Sequence, residues 1–373
     1  MRQIWFACLL MLIPLLSFVP KSKLVYKITV EAKVGAMIRQ EANNPDNGQL
    51  LKVLLETQRT LSQAKSQHFI KHFQKVFKQQ MPDQKLATFF VKPSGQQGIT
   101  TQSSDKSVVK FLEKQLQNAL QQTKEVLAKR IRKFRVRGAK LMILKQSPQI
   151  LIKLPKVKHL ERLKKIILQV GKLGFWEVHE LQECLEGFRK IQKEMPISAR
   201  NSIITEKLIV RSSDTMTVNN LLRRAKVRDL FPRNALFLWT ATTGSFRYDK
   251  GRFSLFVIRN EQNGVAPFSI KKVRSVKKVR TSYSKPEIAI SMDKQSALKW
   301  ARLTKKNAKK RIALVLDSKV CCAPMIDEEI KNGNTAIMAN FTIQQANDLM
   351  CVLVAGKLPV PLTIVSEGTL ETE

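Results

Sequence analysis

The sequence offers few side chains whose types and spacing are suited to metal chemistry. His68 and His72 stand four residues apart, so on a helix both imidazoles would lie on one face, where they could serve as two metal ligands. The sequence places no acidic or cysteine side chain beside them as a third ligand. We therefore interpret them as solvated histidines on a basic helix, and we predict no metal site.

The five cysteines are odd in number and scattered, and no two of them form a C-x-x-C pair. This excludes a dense disulfide framework and a zinc ribbon. Cys321 and Cys322 are adjacent, and adjacent cysteines bridge only with strained geometry, so we interpret them as strand neighbours that face opposite sides. In an oxidising compartment a thiol there or at Cys351 could still cross-link.

Motifs for nucleotide binding and hydrolysis are absent from the sequence. It contains no G-x-x-x-x-G-K-[ST] or G-x-G-x-x-G loop, no G-x-S-x-G elbow and no H-E-x-x-H. We predict that the chain is not an enzyme and uses no cofactor.

The chain is strongly basic, with 66 Lys and Arg against 29 Asp and Glu and a net charge of +37. Such a charge implies an anionic partner, either a nucleic acid or an anionic membrane surface. Two runs, 129–140 and 271–280, concentrate the charge; because few aromatics interleave them, a solvated face or contact with anionic lipid is favoured over nucleic acid. The second run, which we predict to contact an anionic partner, supplies Lys271, Lys272, Arg274, Lys277, Lys278 and Arg280.

Residues 4–19 form an apolar run that only Ser17 interrupts, with Arg2 before it and Lys21 and Lys23 after it. Sixteen residues are close to the shortest length that spans a hydrocarbon core of about 30 Å. No A-x-A-like cleavage site follows. We therefore predict that residues 1–23 form an uncleaved single-pass anchor rather than a signal peptide or a buried helix. The positive-inside rule leaves the topology open.

Beyond the anchor, hydrophobic periodicity predicts an α+β fold. A long amphipathic helix over 107–133 precedes strands at 140–144 and 149–154, a helix from Leu160 and a strand at 173–178.

A second stretch, 286–366, repeats this theme after a region of short strands. Asp317 and Ser318 predict the turn of a hairpin within it. Thr342 and Gln345 predict a capping box that opens the last helix.

The run from Ile290 onward contains Arg311-Ile312-Ala313-Leu314-Val315-Leu316-Asp317, Asn340-Phe341-Thr342 and Ala355-Gly356-Lys357-Leu358-Pro359-Val360-Pro361-Leu362. With these residues it closely resembles the periplasmic domain of SecD, the protein-export membrane protein that is fused to SecF in SecDF. The family pattern includes AIVLDGxVxSAPxI, GxFTxxxAxDLA and LxxGxLPxPL, and the order and spacing of the matches agree. An upstream segment is similar to the family's RIDxFGV, VELPGV, ERAxxII and LEFWE. The positions to which the resemblance gives a structural role are Arg130, Trp176, Asp317, Ala323, Pro324, Gly356, Pro359 and Pro361.

The chain also departs from the family pattern. The RIDxFGV acid and glycine are Arg132 and Arg135, the LPGV glycine is Lys156, and the hairpin Asp-Gly is Asp317-Ser318. Ser is less favourable than Gly where such a turn requires a positive φ. In the family, five further membrane helices for proton coupling follow the point at which this sequence stops, so we expect an accessory form of the family's function.

The resemblance implies an anchor at 1–23, a two-part ferredoxin-like base at 24–190 and 285–370, and an inserted head at 191–284. It further implies location at the cell inner membrane with the bulk of the chain periplasmic. The expected partners are unfolded preproteins and components of the Sec translocon, with anionic lipid as a further candidate. Two alternatives stay open, a basic nucleic-acid-binding protein and a degenerate paralogue without a transport role.

Overall fold

The structure is a computed structural model that describes residues 23–63, 68–92, 98–155, 157–199, 201–241, 251–261, 264–269, 273–280, 286–337 and 341–372. The strands are β1 (Lys23–Ala32), β2 (Lys140–Ile143), β3 (Gln149–Pro155), β4 (Leu173–Glu177), β5 (Ile203–Ile204), β6 (Leu208–Arg211), β7 (Ala235–Trp239), β8 (Arg252–Arg259), β9 (Val273–Arg280), β10 (Pro286–Met292), β11 (Ile312–Leu316), β12 (Lys319–Cys322), β13 (Asn334–Ile337) and β14 (Leu362–Thr372). The helices are α1 (Val34–Glu41), α2 (Gly48–Gln63), α3 (Phe69–Gln80), α4 (Asp105–Lys133), α5 (Leu160–Leu168), α6 (Leu181–Glu194), α7 (Thr215–Leu222), α8 (Ala225–Arg228), α9 (Lys294–Lys306) and α10 (Ile343–Ala355). Several small antiparallel sheets mixed with helices confirm the predicted α+β class.

The first sheet joins the two ends of the described chain. Its strand order is β14-β1-β3-β2, with every pair antiparallel. In β1 the apolar residues Ile28, Val30 and Ala32 recur with the period of two that places side chains on one face, and all three are buried, as is Thr29 between them. We call this sheet with α1 to α5, residues 23–170 and 357–372, the terminal unit.

The terminal unit has one continuous apolar core. Buried residues run from Ile28 to Ile167 in sequence and are completed by Leu358, Val360 and Leu362. The long helix α4 covers the sheet with a buried stripe at a spacing of three or four residues, typical of an amphipathic helix. Residues near the end of the described chain therefore complete a core that begins in β1.

Residues 171–356, which we call the inserted unit, leave the terminal unit once and return once. The described part of this unit holds three sheets, with strand orders β12-β11-β4, β5-β6-β8-β7 and β13-β10-β9. Phe175, Phe268 and Trp300 pack together at the centre of one of its apolar clusters, with ring centroids 4.6 Å apart for Phe175 and Trp300.

Local signals in the sequence of the inserted unit are confirmed. The Thr342 side chain accepts a hydrogen bond from the backbone N–H of Gln345, and the Gln345 side chain accepts one from the N–H of Thr342. Asp317 and Ser318 form the two-residue turn between β11 and β12, with φ values of 49° and 62°. Both values lie in the left-handed region that a type I′ hairpin turn needs.

Strand pairing crosses the domain boundaries expected from the sequence, which remain a prediction. Strand β9, within the expected head at 191–284, pairs with β10 along Pro286–Met292, within the expected second half of the base. Strand β4, within the expected first half, pairs with β11. Strand β14 pairs with β1. The sequence signals fixed local elements and gave no information on these long-range pairings.

The expected anchor over 4–19 lies outside the described residues. Across the part of the chain that is described, no helix combines the length and apolar character needed to cross a bilayer.

Ser318→Gly tests the turn energetics. Because Ser318 has a positive φ, glycine should relieve strain, and the free energy of unfolding should stay unchanged or rise by up to about 1 kcal/mol. Denaturant unfolding measures this change. Asp317→Gly is the matched control, since it removes a carboxylate that accepts two backbone hydrogen bonds and should destabilise by about 1–3 kcal/mol. Clear destabilisation by Ser318→Gly would contradict the turn geometry.

Candidate functional site

The guanidinium of Arg130 is fully buried near the end of α4 and donates hydrogen bonds to four backbone carbonyls. Nη1 donates to the Ile166 carbonyl at 2.8 Å and also to that of Gln169. Nη2 donates to the carbonyls of Val170, at 3.2 Å, and Gly356, at 3.0 Å. Burial lowers the pKa of Arg130 to about 10, so the group remains charged at neutral pH.

These carbonyls belong to the last turns of two helices from different units. Ile166 and Gln169 lie at the end of α5 in the terminal unit, and Gly356 caps α10 in the inserted unit. The last carbonyls of a helix have no partner within it and carry the negative end of the helix dipole. One cation therefore satisfies both helix ends and fixes them side by side.

The hairpin turn of the inserted unit meets the outgoing chain at the same place. The Asp317 carboxylate accepts from the N–H of Gly171 at 2.9 Å and from that of Lys172 at 2.7 Å. The Asp317 N–H donates in return to the Lys172 carbonyl at 3.0 Å. The negative charge of Asp317 also favours the charged form of Arg130.

Two glycines at this place have positive φ values, and at Gly171 the surroundings are crowded as well. Gly171 has φ of 85°, and a Cβ there would lie 3.0 Å from Nη2 of Arg130 and from Cγ1 of Val352. Gly356 has φ of 89°. Leu358 N–H donates to the Val170 carbonyl at 2.7 Å, so the outgoing and returning chains are hydrogen-bonded to each other. We call the group Arg130, Gly171, Asp317 and Gly356 the joint.

A surface ion pair adds to the joint. The Arg162 guanidinium on α5 contacts the Asp348 carboxylate on α10, with Nε 2.7 and 2.8 Å from its two oxygens. The Arg162 guanidinium also lies 4.7 Å from the centroid of the Phe134 ring. The Arg162–Asp348 ion pair thus joins α5 to α10, the two helices that Arg130 also links, and both of its side chains are about one quarter exposed.

The motif residues predicted from the sequence lie in different parts of the structure. Arg130, Asp317 and Gly356 meet at the joint. Trp176 and Ala323 are buried in one apolar cluster of the inserted unit, and the carbonyl of the neighbouring Pro324 accepts from the N–H of Ile312. Pro359 and Pro361 lie where the chain returns into the terminal unit. The spacing of the motifs gave no sign that residues 130, 317 and 356 would converge.

The cations expected to bind an anionic partner fall on a strand at the edge of a sheet. Arg274, Lys277, Lys278 and Arg280 lie on β9, which pairs with β10 and has no second partner among the described strands. Lys271 and Lys272 lie outside the described residues. Their contact with a partner stays a prediction.

The basic run at 129–140 contains one residue unlike the rest. Arg130 is buried, whereas Lys129, Arg132, Lys133 and Arg135 are exposed. From the sequence the run was expected to form a single charged surface. A signal was present in the helical spacing, because position 130 follows the buried positions 120, 123 and 127 at intervals of three or four.

Metal and thiol chemistry find no support among the described side chains. No cluster of three His, Cys, Asp or Glu suited to a metal occurs there. Cys321 and Cys351 are buried and free, and burial raises the pKa of the Cys321 thiol to about 12. Burial and a raised pKa both disfavour the cross-linking that the sequence left open.

Comparison with known proteins identifies the region around the joint. Residues 266–360 match the family model of the SecDF P1 head subdomain. The chain carries a SecD/SecDF-type P1 head region. The matched range shares only 266–284 with the head expected from the sequence, and it contains Asp317 and Gly356 of the joint.

The similarity to SecD extends along most of the chain. The protein translocase subunit SecD of Rhodothermus marinus is 25% identical over 92% of this chain and 60% of its own length. SecD of Magnetococcus marinus is 40% identical over 24% of this chain and 17% of its own length. The chain thus spans about 60% of the length of the first of these relatives. The matched family is one of translocase subunits, in agreement with the prediction that the chain is not an enzyme.

Solved structures also show similarity. The crystal structure of SecDF in its super-membrane-facing form has 23% identity to this chain and a TM-score of 0.44, covering 68% of this chain and 28% of that one. A structure of the membrane component SecDF that enhances protein export has 22% identity and a TM-score of 0.42.

Arg130→Lys tests the joint. A lysine ammonium cannot reproduce the planar fork that reaches four carbonyls, so the free energy of unfolding should fall by about 3 kcal/mol or more. Denaturant unfolding measures the loss. Arg132→Lys, two residues away and exposed, should change it by less than about 0.5 kcal/mol. Equal stabilities of the two variants would show that Arg130 does not hold the joint.

Proposed function

We propose that this chain forms the extracytoplasmic part of a SecD-like protein that assists Sec-dependent protein translocation by binding emerging preproteins. The observation that carries the proposal is the match to SecD of Rhodothermus marinus over 92% of the chain. The proposed partners are unfolded preproteins and the Sec translocon. In the same proposal the apolar run at 4–19 anchors the chain in the cell inner membrane by a single pass, with the bulk of the chain in the periplasm.

We propose a revised division of this region into base and head. The terminal unit would be the base, because its core is closed by the first and last described strands. The inserted unit at 171–356 would be the head, because it leaves and returns at the joint and has apolar clusters of its own. It differs from the division predicted from the sequence, which had two ferredoxin-like halves of the base at 24–190 and 285–370 and a head inserted between them at 191–284.

The head offers a surface suited to an extended client. Strand β9 is at an edge of the described sheet β13-β10-β9, and an unfolded chain can add to such an edge through main-chain hydrogen bonds. Its sequence, VRSVKKVR, carries four cations and no acid. A net charge of +37 and this cationic edge together favour acidic segments of an unfolded chain.

The membrane location is tested by fractionation. Because residues 4–19 have no polar face, the full chain should sediment with membranes and resist alkaline carbonate extraction. A variant that lacks residues 1–19 is the control and should be released. Recovery of full-length chain in the soluble fraction would contradict the anchor.

Client binding is tested on the full chain in detergent. It should bind a reduced, unfolded, acidic polypeptide more tightly than the same polypeptide folded, and added salt should weaken binding because exposed charges are screened. Reversing the charges of the second basic run should weaken binding at least about tenfold. The substituted residues are Lys271, Lys272, Arg274, Lys277, Lys278 and Arg280.

The control for client binding reverses six exposed lysines of the base and so changes the net charge equally. These are Lys52, Lys71, Lys75, Lys106, Lys110 and Lys114. This control should retain most of the affinity. Equal losses in both variants would show that net charge alone attracts the client. Far tighter binding of double-stranded DNA than of any client would favour the nucleic-acid alternative instead.

A further inference from the structure

A cationic groove lies on the base, away from β9. It is formed by the end of α4, the loop that follows and the start of β2, and it encloses about 650 Å³. Ile131, Val136 and Leu141 contribute apolar lining. Arg132, Arg135 and Arg137 contribute guanidinium groups, all three exposed.

The charge of this groove has no internal counterion. None of the residues that line it is acidic, and the three guanidinium groups make no hydrogen bond or ion pair with other described side chains. The sequence contains no Asp or Glu between residues 126 and 160. The groove therefore presents a positive charge that attracts anions from outside the chain.

One of these cations occupies a strained backbone position. Arg135 follows the C-cap residue of α4 and has φ of 67°, with its N–H donating to the Arg132 carbonyl at 3.0 Å. Glycine is the residue that adopts this conformation without steric cost. The SecD-like pattern RIDxFGV has glycine here and an acid at the position of Arg132, so both departures add positive charge to the groove.

The groove lies at the end of the first sheet where β1 begins. A methyl group placed on Gly138 would lie 3.3 Å from Cγ of Pro155, and Pro155 pairs with Val25 near the start of β1. The apolar run ends at residue 19, four Cα steps before Lys23. A fully extended chain spans at most about 14 Å in four steps. With that run in the bilayer, this end of the sheet lies near the membrane surface.

We propose that this groove binds the phosphate headgroups of anionic phospholipids. Planar guanidinium groups form paired hydrogen bonds with phosphate oxygens, and three arginines line this one groove at the end of the sheet where β1 begins. The absence of an aromatic side chain from the lining argues against single-stranded nucleic acid, whose bases stack on such rings. The inference rests on the membrane location in the proposed function, and bound lipid would orient the base relative to the bilayer.

The test uses hydrogen–deuterium exchange of the full chain in lipid nanodiscs. Discs of neutral phosphatidylcholine are compared with discs that contain 30 mol% phosphatidylglycerol, on the order of natural anionic lipid contents. Amide exchange in peptides covering 134–141 should slow at least about threefold with phosphatidylglycerol. Inorganic phosphate added to the neutral discs should not reproduce the effect, which separates lipid headgroups from free phosphate.

Two triple variants with equal net charge decide the site. R132Q/R135Q/R137Q should abolish the slowing. K71Q/K110Q/K114Q should retain it, because these exposed lysines line a different cavity at the other end of the sheet, about 30 Å away along β1. Equal loss in both variants, retention in the first, or full reproduction by inorganic phosphate would overturn the proposal. Failure of the chain to enter either disc would overturn the membrane location as well.

Arg135→Gly separates stability from lipid binding. The substitution relieves the positive φ and should raise the melting temperature in neutral discs. It should also reduce to about half the amount by which phosphatidylglycerol slows amide exchange in peptides covering 134–141. An arginine without a role in binding would instead give a higher melting temperature and unchanged exchange, and that result would remove Arg135 from the site.

Discussion

The buried guanidinium of Arg130 is the interaction on which the arrangement of the two units depends. Its N–H groups donate to carbonyls at the end of α5 and at the C-cap of α10, so one side chain holds both the outgoing and the returning chain. Removing such a charge from water is costly unless its donors find partners with good geometry. The helix ends offer unsatisfied carbonyls and negative dipole ends, which stabilise the charge through the four hydrogen bonds of Nη1 and Nη2, whereas the buried Nε has no hydrogen-bond partner.

The positions around Arg130 follow from its burial. Gly171 leaves room for Nη2, and Asp317 supplies a nearby negative charge while it accepts from the backbone of the outgoing chain. The pairing of β14 with β1 then closes the terminal unit behind the inserted one. The inserted unit, whose outgoing and returning chains are hydrogen-bonded to each other at the joint, is thereby fixed in position relative to the terminal unit.

Cationic residues have different structural roles in different parts of this chain. Arg130 is a structural cation whose partners are carbonyls. Arg132 and Arg135 are exposed a few residues later, on a groove without carboxylates. The cations of β9 lie on a strand with an open edge, where charge also discourages pairing between copies of the chain. A net charge alone cannot distinguish these roles, because each is set by burial and by neighbours.

Local structure was determined by the sequence alone, because its signals act over a few residues. The periodicity of α4, the capping box at Thr342 and the turn at Asp317 and Ser318 depend on neighbours in sequence, and the structure has all three. The resemblance to SecD also came from sequence order. Tertiary structure decided the pairing of β14 with β1, the strand at β9 and the burial of Arg130. Contacts between residues 130, 171, 317 and 356 span up to 226 positions, and no local propensity encodes them. They arise because buried carbonyls and a buried charge must find partners in the folded chain, whatever their distance in sequence.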